Sequence, residues 1–66
     1  MYQFGTLDHM TADDLRRKRE QLGLTQEELA KHLGVKRLSV IRWENGQTEI
    51  DKILERAMRD LERELR

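Results

Sequence analysis

Three of the four threonines, Thr11, Thr25 and Thr48, punctuate this chain, and each of these is followed three residues later by an acid: Asp14, Glu28 and Asp51. A threonine hydroxyl can accept the amide of the third helical residue while the acid at that position accepts the threonine amide, so this spacing marks helix starts. The acids also suit the positive end of a helix dipole. Gly23, Gly34 and the Asn45-Gly46 pair then supply stops, because they accept the positive φ that ends a helix. Four helices follow, at about 12–22, 26–33, 36–45 and 49–65. Proline is absent and the β-branched residues are too scattered to alternate as strands, which leaves an all-α body.

Sixty-six residues make one domain at most and leave no room for a catalytic cleft, so no enzymatic role is expected. No nucleophile-base pair or carboxylate dyad shares a face. Without cysteine there is no disulfide or thiolate site, and His9 and His32 are too few and too far apart to hold a metal. Neither a metal nor another cofactor is expected. The composition fits a cytoplasmic protein, with no apolar run approaching a membrane span and no signal-peptide pattern at the start. Residues 1–10 hold Tyr2, Phe4 and Gly5 without a helical period and read as a flexible arm; His9-Met10 also resembles a cloning junction. The 13 Lys+Arg balance 13 Asp+Glu, so any reading as a nucleic-acid binder depends on where the positive charge lies.

Helix period sorts the side chains. The first helix turns Leu15, Arg19 and Leu22 to one side, with the rest of Arg16 to Arg19 spread around it as a solvated surface. The second turns Leu29, Ala30 and Leu33 inward. On the third, Val40, Trp43 and Glu44 share one side, with Val35 closing the preceding turn, while Leu38, Ile41, Arg42 and Asn45 share another. An inward Glu44 needs a cation, and Arg19 is the one basic residue on the facing stripe, so the two are expected to pair. The alternative is that both bend out to solvent. The fourth helix carries Ile50, Ile53, Leu54, Ala57, Met58, Leu61 and Leu65. Its first half reads as core. The stripe outlasts what three short helices can cover, so Met58, Leu61 and Leu65 are expected to form a homodimer seam.

Two short helices joined across Gly34 match the helix-turn-helix pattern, whose second helix enters the major groove of DNA. The stretch Leu22 to Gly46, LGLTQEELAKHLGVKRLSVIRWENG, resembles the Cro and phage-repressor-like helix-turn-helix family, often called XRE, over about Thr11 to Ile53. The resemblance is carried by Gln26, Leu29-Ala30, Gly34, Ser39-Val40 and the RWENG ending. It implies a small four-helix bundle of the lambda repressor-like fold, here with a long C-terminal helix, that binds double-stranded DNA, commonly as a homodimer. It further implies base contacts from Lys36, Arg37, Leu38 and Arg42. Phosphate contacts, or bracing of the side chains that make them, fall to Thr25, Gln26, Ser39 and Asn45. The chemistry agrees: arginine can bridge the O6 and N7 acceptors of guanine, and leucine suits a thymine methyl. The positions of Arg19 and Glu44 match an internal ion pair of some members. Many relatives carry a proline after the ENG turn and a fifth helix, where this chain has Gln47-Thr48 and one long helix. A transcriptional repressor is the leading expectation. An antitoxin that also holds a toxin is the alternative, and a protein-interaction module without DNA binding is the more distant one.

Overall fold

The computed structural model describes residues 10–65, and the expectations for the arm at 1–9, including Tyr2, Phe4 and His9, lie outside it. Four helices and no strand make up the described residues: α1 Ala12–Gln21, α2 Gln26–Leu33, α3 Arg37–Glu44 and α4 Lys52–Leu65.

The first two starts are capping boxes. In α1, Asp14 N donates to Thr11 Oγ1 and Thr11 N donates to Asp14 Oδ2, both at 3.1 Å. In α2, Glu28 N donates to Thr25 Oγ1 at 3.1 Å and Thr25 N to Glu28 Oε1 at 2.8 Å. These amide donors hold the Asp14 and Glu28 carboxyls below their usual pKa; for each, the threonine backbone hydrogen bond is the leading cause. Each box satisfies amides that the helix itself leaves unbonded, a contribution of about 1 kcal/mol for the cap.

The third start differs from the sequence expectation. Asp51, not Thr48, caps α4: its Oδ1 accepts from Leu54 N at 2.9 Å and its carbonyl from Glu55 N at 3.1 Å. Thr48 is instead drawn toward α3, where Gln47 N and Thr48 N approach the Arg42 carbonyl at 2.9 and 3.4 Å. The helix therefore begins at Lys52 rather than near 49.

All three short helices end in the same double hydrogen bond around a left-handed glycine. At the end of α3, Gly46 N reaches the Trp43 carbonyl at 3.2 Å while Gln47 N takes that of Arg42. Gly46 has φ of 76°, but Asn45 stays at −92°, so the glycine alone makes the turn.

The core takes residues from every helix. Leu15, Leu29, Val40 and Met58 are the largest fully buried side chains, joined by Met10, Ala30, Ile50, Leu54 and Leu61. Each large one stabilises the fold by about 1.5–3 kcal/mol relative to exposure. Leu22, Leu24, Leu33, Val35 and Trp43 are half-buried against this cluster.

Three sequence expectations change here. Met10, assigned to the arm, is buried, and its amide donates to Glu55 Oε2 at 3.0 Å. Ile53 is 80% exposed, because the buried stripe runs from Ile50, ahead of the helix, to Leu54, Met58 and Leu61. Met58 and Leu61, expected in a dimer seam, are closed inside the monomer, and of that set only Leu65 is exposed. Four helices cover more of the stripe than expected because Met10 and Ile50 extend the core beyond the helix ends.

Candidate nucleic-acid interface

The turn between α2 and α3 is set by Gly34, with φ of 72°, whose amide reaches the Lys31 carbonyl while Val35 N takes that of Ala30 at 3.0 Å. Lys36 follows in extended geometry as the cap of α3 and makes no side-chain cap hydrogen bond. Lys36 is exposed at the start of that helix.

Helix α3 packs on α1 and α2. Its inner side is Val40 and Glu44, both buried, flanked by half-buried Trp43. At about 100° per residue the opposite side carries Leu38, Arg42 and Asn45. All three are exposed, as are Lys36 and Arg37 at the start, and Leu38 stands 51% open. Ser39 and Ile41 are half-buried at the borders of the two sides. Leu38 and Arg42 thus share the open side of the second helix of the pair, and Lys36 and Arg37 are exposed at its N-terminal end.

The inner side is anchored through charge. Glu44, with its side chain only 1% exposed, accepts Arg19 Nε at 2.6 Å on Oε2 and Arg19 Nη2 at 3.2 Å on Oε1. Arg19 Nη1 donates in turn to the Leu24 carbonyl at 2.9 Å, which ties the end of α1 into the cluster. The carboxylate hydrogen bonds raise the Arg19 pKa further above its ordinary value. Two further residues join that the sequence reading did not place there. Gln26 Nε2 donates to Glu44 Oε1 at 3.1 Å. Arg16 Nη2 reaches the Glu44 carbonyl at 3.3 Å, and its Nε lies 3.8 Å from Oε1.

The sequence places Arg16 on a solvated surface, and its side chain is 45% exposed even while it reaches Glu44. Its position three residues before Arg19 puts it on the same face of α1, which is the signal that could have found it. Gln26, expected at a phosphate, commits its amide to Glu44 and stays half-buried. It braces α3 from the first residue of α2. Thr25 is exposed with its hydroxyl used in the cap, and Asn45 is exposed just beyond α3.

α2 and α3 thus form a two-helix unit with a left-handed glycine turn and exposed basic residues on its second helix. The helix-turn-helix family matches residues 15–54. This chain belongs to the XRE helix-turn-helix family. The match covers most of α1, all of α2 and α3 and the start of α4, and so contains the whole Glu44 cluster and every expected base-contacting residue. A search of curated protein sequences gave no match. XRE helix-turn-helix domains bind double-stranded DNA, which is the activity this chain carries with it. No helix among the described residues is long and apolar enough to cross a membrane, and no group of metal-ligating side chains is found among them.

Proposed function

We propose that the chain is a sequence-specific transcriptional repressor that lays α3 in the major groove of its DNA site and acts as a homodimer on a two-fold-related sequence. The observation that carries this reading is the division of α3. Its inner side is held by Val40 and the Glu44 cluster, its outer side exposes Leu38 and Arg42, and its open N-terminal end exposes Lys36 and Arg37. A helix fixed on one side and open on the other holds donors and a methyl surface at constant positions relative to a groove. Arg37 and Arg42 read guanine edges, Leu38 meets a thymine methyl, and Lys36 reaches base or phosphate from the helix start.

Selection of bound sites from random duplex DNA, followed by sequencing, tests this directly. It is expected to return a site with two related half-sites. Arg37→Ala and Arg42→Ala are each expected to weaken binding to it by about 1–3 kcal/mol and to relax the preference at one base pair. Full site binding by the double variant overturns the assignment of α3.

A further inference from the structure

The outer face of α4 holds a second concentration of positive charge that the reading of α3 does not use. Lys52, Arg56, Arg59 and Arg63 are spaced 4, 3 and 4 residues apart, which at about 100° per residue places all four within a wedge of about 60°. All four are exposed. None makes an ion pair among the described residues, where the pairs are Arg16 and Arg19 with Glu44 and Lys18 with Glu62. Between the first three lies a shallow notch of about 220 Å³, whose remaining lining residue, buried Glu55, is engaged by the Met10 amide. In a chain of zero net charge, four cations in one line are a local field with no internal use.

From this we infer that the stripe is a docking track for the phosphate backbone of duplex DNA, flanking the bases read by α3. The inference rests on the DNA-binding reading and extends it. At a rise of about 1.5 Å per residue the stripe is about 16 Å long, enough to face a few successive phosphates of one strand. Its width is that of a single line, because Ile53, Asp60 and Glu64 occupy the neighbouring stripe and bar a broad positive surface. Such a line follows one strand. Its place also fits: Lys52 lies eight residues after Glu44, and the intervening chain is tied back to α3 by the Gln47 and Thr48 amides on the Arg42 carbonyl. The stripe thus begins four residues after Thr48, the last residue tied back to α3. Phosphate contacts of this kind set register and affinity and carry no sequence preference.

The test measures how binding of the full chain to its selected site, and to a duplex of unrelated sequence, depends on salt. Arg56→Gln with Arg59→Gln removes the middle pair. Each lost phosphate contact makes the slope of log K against log salt shallower by about 0.9, so the double variant is expected to lose about 1.8 and to bind roughly 60-fold more weakly at 0.1 M salt. Both duplexes should suffer alike, with base preference unchanged. Arg56→Lys with Arg59→Lys should restore the slope, and Lys31→Gln, an exposed cation on α2, should leave it unchanged; circular dichroism checks that each variant is folded. Wild-type binding with the same slope in the glutamine variant overturns the stripe alone, the result expected if it serves an acidic protein instead. Failure of the wild-type chain to bind either duplex overturns the reading of α3 and the stripe together.

Discussion

Glu44→Gln is the substitution that most directly probes how α3 is held. The glutamine keeps volume and can still bond to Gln26, but removes the charge that Arg19 faces at 2.6 and 3.2 Å. Removing one member of a buried pair costs about 3–5 kcal/mol when the other charge is stranded. Arg19 is less than fully stranded: its side chain is 13% exposed and keeps the Leu24 carbonyl. The expected cost is therefore about 2–3 kcal/mol, the scale of a hydrogen bond to a charged group. For a chain of this length, total stability is about 3–10 kcal/mol, so the variant loses a large part of it yet should remain measurable. Arg19→Met should cost more, about 3–5 kcal/mol, because Glu44 is buried to 1% and cannot turn to water. Arg16 and Gln26 keep that figure near its lower end. Urea unfolding followed by circular dichroism and by the fluorescence of Trp43, the single tryptophan and the neighbour of Glu44, gives all the free energies needed. The melting temperature of Glu44→Gln should drop by roughly 8–24 °C. In the double variant the two costs should fall short of their sum by about 2 kcal/mol. Additivity within about 0.5 kcal/mol would mean that the two side chains do not interact in solution, and the account of what anchors α3 would be wrong.

Other perturbations separate the remaining contributions. Leu29→Ala empties a fully buried site and should cost about 2–5 kcal/mol, enough to unfold much of the population in a urea titration begun at 25 °C. At Gly46 a methyl group would meet nothing within 4 Å, so Gly46→Ala should cost only the backbone term for φ of 76°, about 1–2 kcal/mol; an equal loss in Gly46→Asn would contradict the conformational explanation. The Asp14 and Glu28 carboxyls have folded pKa values below 3.8 and 4.5, so the stability they add is present above those values and disappears as pH falls through the lower folded ones. Stability measured against pH should fall on the acid side, and less steeply in Glu28→Gln.

Where the sequence could be read and where it could not follows from how local the deciding interaction is. The boxes at Thr11 and Thr25 each close within four residues, and both ends of each box are visible in the sequence. Thr48 and Asp51 look the same in sequence, but aspartate is itself a strong cap. The choice between them was made by the ending of α3, which takes the Gln47 and Thr48 amides, and by Ile50, which is buried ahead of the helix. Met10 was illegible because its partner Glu55 is 45 residues away and no period links them. Ile53 and Ile50 were both apolar at helix-compatible spacing, and only the true start at Lys52 shows which one turns inward.

α3 is the harder case, and the reason bears on function. A helix that reads DNA must offer apolar and charged groups outward together, and this one offers Leu38 beside Arg37 and Arg42. Its inner side in turn includes a carboxylate, so hydrophobicity barely distinguishes the two sides. What distinguishes them is the partner: Glu44 is tied by hydrogen bonds to Arg19 of α1 and Gln26 of α2, and Arg16 takes the carbonyl at the end of α3. With burial contributing little orientation beyond Val40 and Trp43, these bonds fix the rotation of α3 about its own axis. A rotation of one residue, about 100°, would carry Arg42 out of the open face. Under the proposed function the ion pair and the DNA-reading surface are one device, and loosening the first should blur base preference before it unfolds the domain. Glu44→Gln, assayed on selected and single-mismatch duplexes under conditions where it is folded, should discriminate between them less than the wild type does. Discrimination equal to the wild type would show that α3 keeps its rotation without the charge.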